Sequence, residues 1–117
     1  MLHLSTSCTY YLYNGKTDMR KGFDSLSGIV ISQMQGNLLS GAVFIFINTK
    51  RNQVKLLLWE GDGLSLYHKR LEKGTYELPA TTNASSAIII SAQQLQLILQ
   101  GISLQKVHFR TRFKKTA

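Results

Sequence analysis

Residues 42–59 read AVFIFINTKRNQVKLLLW, and this stretch decides the fold. The unbroken apolar run in residues 42–48 predicts a strand covered on both faces, because a half-exposed strand would alternate apolar and polar side chains. Residues 54–59 predict a second strand. The short polar segment 49–53 between them predicts an antiparallel hairpin.

Further strands are predicted on either side of this hairpin, at residues 9–13, 64–70 and 75–78, since these segments are rich in β-formers and bounded by glycine-containing turns. Apolar residues spaced three or four apart from Met19 to Met34 predict a helix that begins with Thr17 or Asp18 as its N-cap. Ser91 and Gln94 form a capping-box pair at the start of a second helix.

These elements predict an α+β fold in a single domain, with an antiparallel β-meander of about four to six strands and two helices packed on one face. Residues 1–103 form that domain in this interpretation. Residues 104–117 form a basic C-terminal strand or tail, because apolar and basic residues alternate along it.

Composition narrows the class of protein. The chain has 117 residues with 14 Lys and Arg against 6 Asp and Glu, a formal charge of +8. A single cysteine excludes an intramolecular disulfide and favours a reducing compartment. The sequence also predicts no cofactor and no metal site. No apolar run approaches the ~18 residues of a membrane span, and no secretion signal is evident, so we expect a cytoplasmic protein with no membrane contact.

The basic residues cluster in a few segments, which favours a surface that binds phosphates. The alternative is that these basic residues face solvent and bind no partner. The residues predicted to contact nucleic acid are Arg20, Lys21, Lys50, Arg51, Lys55, Lys69, Arg70, Arg110, Arg112 and Lys114.

The acidic residues give little support to catalysis. Two carboxylates two positions apart, Glu60 and Asp62, are a weak metal signature, and the glycines around them favour a turn. No nucleophile motif accompanies the histidines or Cys8, so we do not expect an enzyme. A small metal-dependent nuclease that uses Asp18, Glu60 and Asp62 remains as a third hypothesis.

Taken in order, four strings resemble one family: TDMRKGFD (17–24), SGAVFIFIN (40–48), KLLLWEGDG (55–63) and Tyr67 followed by KRLEKG (69–74). The chain is similar to the TnpB (Orf2-like) accessory protein of IS-66 type bacterial insertion sequences. The residues that carry its motifs are Asp18, Trp59, Glu60, Gly61, Asp62 and Gly63. Lys16 and Glu60 depart from the usual pattern, in which proline and aspartate are common.

The resemblance implies a role in DNA transposition without catalytic chemistry of its own, beside a separate transposase. The leading hypothesis is therefore a non-catalytic accessory protein that binds DNA, either at insertion-sequence ends or non-specifically, through its basic hairpin and tail. The alternative is a protein–protein adaptor that docks on the transposase, or on other proteins of the same element, without direct DNA contact. The oligomeric state is left open.

Overall fold

The structure is a computed structural model that describes residues 7–79 and 85–100. The elements in chain order are β1 (Tyr10–Lys16), α1 (Phe23–Ser32), a 3-10 turn (Leu38–Ser40), β2 (Val43–Ile47), β3 (Gln53–Trp59), β4 (Leu64–Arg70), β5 (Ala87–Ile90) and α2 (Ala92–Gln100). A five-stranded sheet and two helices confirm the predicted α+β class.

The sheet is mixed, with strand order β4-β3-β2-β1-β5. The hairpins β2–β3 and β3–β4 are antiparallel, so the predicted meander holds for these three strands. β1 pairs with β2 in parallel, and β5 closes the other edge antiparallel to β1. β1 and β2 are parallel because the segment between them, which contains α1, returns the chain to the end of the sheet at which β1 began. This is a crossover connection.

β2 is buried along its whole length, as its apolar run predicts. Its alternate side chains Val43, Ile45 and Ile47 pack in one cluster with Leu95 and Ile98 of α2. Phe44 and Phe46 point the other way, into a second cluster with Leu26 and Val30 of α1. The helices therefore cover opposite faces of the sheet, and the prediction that both pack on one face is wrong. A strand that is apolar on both faces needs a cover on each.

The first helix begins later than its apolar spacing predicts. It starts at Phe23 with Gly22 as the N-cap, rather than at Thr17 or Asp18. Residues 17–21 instead form a loop, because the Asp18 side chain accepts the Arg20 amide at 2.9 Å and the Asp18 carbonyl accepts the Lys21 amide at 3.1 Å. Local hydrogen bonds of this kind compete with a helix.

The second helix begins as predicted. The Gln94 amide donates to Ser91 Oγ at 3.0 Å, and the Ser91 amide donates to Gln94 Oε1 at 2.9 Å.

Two other predicted strands have different outcomes. Residues 75–78 form no strand, because the amide of the buried Tyr76 donates to the Arg51 carbonyl instead. The predicted basic strand at residues 104–117 lies outside the described residues and stays a prediction.

Lys55 on β3 is buried, with 7% of its surface exposed. Its ammonium donates to the Met19 carbonyl at 2.8 Å and to the Lys21 carbonyl at 2.7 Å. Both acceptors belong to the 17–21 loop, so Lys55 fastens this loop to the sheet. Because its charge is used inside the protein, we withdraw Lys55 from the predicted phosphate contacts.

Replacing Lys55 by methionine keeps a long apolar side chain but removes both hydrogen bonds. We expect Lys55→Met to lower the free energy of unfolding by about 1–3 kcal/mol, since two carbonyls lose a charged donor. Lys69→Met is the matched control on the neighbouring strand, where the exposed side chain predicts a change within about 0.5 kcal/mol. Urea unfolding measures both, and equal stabilities of the two variants would contradict the anchoring role of Lys55.

Candidate nucleic-acid interface

Strand pairing brings basic segments that are far apart in sequence to one end of the sheet. Lys69 on β4 lies opposite Val54, Val54 opposite Ile47, and Ile47 opposite Lys16 at the end of β1. These four residues form one row across the sheet. With strands about 4.8 Å apart, the row places the backbones of Lys16 and Lys69 roughly 14 Å from each other.

The connections at this end carry the remaining cations. The 17–21 loop follows β1, the β2–β3 turn follows β2, and residues 71–74 follow β4. We call this region the cationic end, defined by the eight exposed basic residues Lys16, Arg20, Lys21, Lys50, Arg51, Lys69, Arg70 and Lys73. Within residues 7–79 and 85–100, it includes every lysine and arginine except Lys55.

The β2–β3 turn at the cationic end is held in one conformation by Asn48. Its Oδ1 accepts the amides of Asn52 at 3.0 Å and Gln53 at 2.9 Å, and its carbonyl accepts the Arg51 amide at 3.0 Å. The segment after β4 braces the same turn, because the Leu71 amide donates to the Asn52 carbonyl at 2.8 Å. The basic side chains of the turn therefore project from a fixed backbone.

Arg51 adopts a left-handed backbone conformation, with φ of 57°. Such a conformation costs a non-glycine residue about 1–2 kcal/mol, and asparagine or glycine would fit it better. Backbone energetics alone would therefore favour asparagine or glycine over arginine at position 51.

Asp18 and Arg20 form a bidentate ion pair in the 17–21 loop. Arg20 Nε and Nη2 donate to the two carboxylate oxygens, the Nη2–Oδ2 distance being 2.6 Å. The pair lowers the pKa of Asp18 to about 2, chiefly through the side-chain hydrogen bonds from Arg20. A guanidinium has five N–H donors, so three of those on Arg20 remain available to an acceptor outside the pair.

His68 on β4 lies beside the cationic end and is electrostatically linked to it. Partial burial, followed by the charges of Lys55 and Arg70, lowers the pKa of His68 below 6.5. Its Nε2 lies 2.8 Å from Gln53 Oε1 on β3. The lowered pKa favours the neutral imidazole, so the positive charge of this end comes chiefly from lysine and arginine.

A cleft of about 520 Å³ opens beside the β2–β3 turn. Lys16 and Arg51 line it together with Asn48, while Leu12 and Ile88 supply apolar wall. The register of β1 against β2 shifts between Leu12 and Lys16, so the end of β1 bends here. The cationic end thus contains a concave cleft in addition to its positive charge.

The family-motif residues at 59–63 lie at the opposite end of the sheet. Glu60 accepts the Ser65 hydroxyl, its amide donates to the Gly63 carbonyl, and Gly61 has a φ of 96° that suits glycine. Trp59 is half-buried at the end of β3. This arrangement supports the interpretation of 60–63 as a tight turn.

The nuclease hypothesis requires Asp18 near Glu60 and Asp62. Asp18 follows β1 at the cationic end, whereas the two other acids follow β3, one strand length or about 20 Å away. In the described part of the chain, no three His, Cys, Asp or Glu side chains cluster as a metal site. The three acids therefore do not come together in this fold.

Of the sequence-predicted contacts, Arg20, Lys21, Lys50, Arg51, Lys69 and Arg70 are exposed and share the cationic end. Arg110, Arg112 and Lys114 lie outside the described residues. Sequence reasoning missed Lys16 and Thr17, which join this end through the parallel pairing of β1 with β2. Lys73, which the sequence groups with Lys69 and Arg70, joins it because it follows β4. The strand–helix–strand order of residues 9–48 was the available signal, since that order is typical of parallel pairing.

No helix among the described residues is long and apolar enough to cross a membrane. The geometry thus defines a small α+β protein with a mixed sheet, a cationic end and an acidic turn at the other end.

Comparison with known proteins assigns this protein to a family. The profile of the IS66 Orf2-like proteins matches residues 8–109, so the chain belongs to that family. It is 34% identical over 102 residues to a Sinorhizobium fredii protein described as "Uncharacterized protein y4hO", covering 87% of each chain. A second protein of that organism, "Uncharacterized protein y4jC", is 26% identical over 90 residues, or 77% of this chain and 75% of the relative. No solved structure matches. The family implies an accessory role in the transposition of an insertion sequence.

The Asp18–Arg20 pair predicts a specific acid dependence. Because the pKa of Asp18 is lowered from 3.8 to about 2, the stability that this carboxylate contributes is complete above about pH 4 and is lost as the pH falls through 2. The difference in unfolding free energy between the wild type and Asp18→Asn should therefore shrink across that interval.

Nuclear magnetic resonance titration of the Asp18 carboxyl group tests the cause directly. In Arg20→Gln the pKa of Asp18 should return toward 3.8, since the largest stabilising partner of the carboxylate is gone. An unchanged pKa in that variant would show that Arg20 is not responsible.

Proposed function

We propose that this protein is a non-catalytic accessory factor of transposition that binds DNA through its cationic end. The observation that supports this most strongly is the placement of charge. Eight exposed cations occupy one end of the sheet, where Asp18 and Glu72 are acidic residues of the same loops, and the Glu60–Asp62 turn occupies the other end. A solvated surface without a partner gives no reason for so large an excess of positive charge at one end.

The chemistry of this end fits a phosphate backbone. Lysine and arginine neutralise phosphates and release counterions, which gives affinity that falls steeply with salt and carries little sequence information. The roughly 14 Å row from Lys16 to Lys69 is comparable to the ~12 Å width of the major groove. The β2–β3 turn, with Lys50 and Arg51 at its tip, projects from the same end.

The basic tail extends this proposal. Arg110, Arg112 and Lys114 supply further cations in residues 104–117, a segment without an acidic residue. In the proposed complex they bind further phosphates of the same DNA. The protein then acts in the cytoplasm, on the element's own DNA ends or on DNA non-specifically, together with the element's transposase.

An adaptor that docks on the transposase without touching DNA is the second candidate. Large apolar side chains that stay exposed favour it: Phe23 at 47% and Ile31 at 60% on α1, and Leu39 at 64% on the 3-10 turn. Such residues are frequent in protein interfaces, although single ones are also common on ordinary surfaces.

DNA affinity measured across a salt series tests the first candidate. For the full chain and a random-sequence duplex, the logarithm of the affinity should fall linearly with the logarithm of salt, with a slope of about −0.9 per phosphate contact. Lys50→Gln should reduce the magnitude of that slope by about 0.9, because one contact is lost.

The matched control is Thr9→Glu, which lowers the net charge by the same single unit at an exposed position before β1, at the opposite end of the sheet. It should leave the slope unchanged. Equal effects of the two variants would mean that net charge alone acts. Absence of binding by the wild type at low salt would contradict the DNA-binding function and leave the adaptor.

A further inference from the structure

An open pocket of about 410 Å³ lies within the cationic end, between the 17–21 loop and the β2–β3 turn. Thr17, Asp18 and Arg20 line it from the loop, and Lys50 and Gln53 line it from the turn. Its two walls follow β1 and β2, and they meet because those parallel strands end at the same edge of the sheet. Crevices at the carboxyl ends of parallel strands are common ligand sites.

Thr17 is the unusual residue of this pocket. It is 3% exposed, and its hydroxyl oxygen is shielded from solvent and has no hydrogen-bond partner among the described residues, so a ligand in the pocket reaches this oxygen only after a small local shift of the pocket wall. Its amide donates to the Ile47 carbonyl at 3.1 Å, so the residue is held in place where β1 and β2 finish. A buried hydroxyl without a partner is destabilising, and such groups in native structures call for an explanation.

The charges around Thr17 indicate what kind of group would supply that partner. Arg20 and Lys50 contribute two positive charges to the pocket wall, and Asp18 contributes one negative charge. The Asp18 carboxylate is already paired with Arg20, with Nη2 at 2.6 Å from Oδ2. One positive charge is therefore left over, together with the Thr17 donor and the outer donors of Arg20. This combination suits a small anion that accepts several hydrogen bonds.

We propose that the pocket binds one phosphate group of DNA, with the Thr17 hydroxyl donating to a phosphate oxygen and Arg20 and Lys50 neutralising its charge. The proposal rests on the DNA-binding function above and deepens it, since it names a discrete phosphate site within a broad cationic surface. The phosphate group is either an internal phosphodiester or a terminal phosphate monoester. Both present negatively charged non-bridging oxygens to the same donors.

Thr17→Val tests the site because valine has nearly the shape of threonine and lacks only the hydroxyl. A structural hydroxyl would make this variant less stable. A hydroxyl kept for a ligand predicts the opposite: stability equal to or above that of the wild type in urea, because an unpaired buried group is removed. DNA affinity should fall about tenfold or more, which is the loss expected for a hydrogen bond to a charged group.

Two controls accompany it. Thr17→Ser retains the hydroxyl and should restore most of the lost affinity. Thr9→Val makes the same substitution at an exposed threonine at the opposite end of the sheet and should change nothing. Since Thr17→Val removes no charge, its salt slope should equal that of the wild type, in contrast to Lys50→Gln.

The measurements use a blunt duplex with and without 5′-phosphates. A loss of affinity restricted to the phosphorylated duplex supports a terminal phosphate, and a loss on both supports an internal one. Independently of any variant, titration of the wild type with inorganic phosphate should shift the amide resonances of residues 17–20 and 48–50.

The phosphate site is overturned if Thr17→Val binds DNA as the wild type does, if it loses affinity only along with stability, or if inorganic phosphate leaves those resonances unmoved. In each case salt-dependent binding by the wild type would still support the broader function. Failure of the wild type to bind any duplex would refute both proposals.

Discussion

The rest of the structure depends on the burial of β2 on both faces. Because every side chain of Val43–Ile47 is removed from water, the strand must lie inside the sheet with a helix over each face. α1 then has to cross between β1 and β2, which makes the two strands parallel. Parallel strands end at one edge, and so the loops that follow them are neighbours. The cationic end is a consequence of that topology.

Side-chain anchors turn this topology into a defined surface. The buried ammonium of Lys55 holds two carbonyls of the 17–21 loop, and Asn48 closes the β2–β3 turn. Cations presented from fixed backbones lose less conformational entropy on binding than cations on free loops. Arg51 in its left-handed conformation and the unpaired hydroxyl of Thr17 are both costs to the folded state at the cationic end. Gln35, between α1 and the 3-10 turn, has a similar left-handed backbone with φ of 55°, so backbone strain is not confined to that end.

Short-range features could be predicted from the sequence, and features set by strand pairing could not. The Ser91 capping box and the double burial of β2 follow from residues close together in the chain. That burial requires a cover on each face, which is incompatible with the predicted placement of both helices on one face. The spacing of Met19 predicts a start of α1 that is too early, because Met19 has helical spacing but belongs to a loop. The burial of Lys55 depends on which residues face it across the fold, and neither charge nor spacing carries that information.

Amide chemical-shift mapping of the full chain with a random-sequence duplex tests the central claim most directly. The account predicts perturbations in residues 16–21, 48–53 and 69–73, which the sheet brings together, with little change in the 60–63 turn. Perturbations centred on the 60–63 turn, or on the exposed apolar residues Ile31 and Leu39, would contradict it. A duplex that shifts no resonance of the cationic end would contradict it as well.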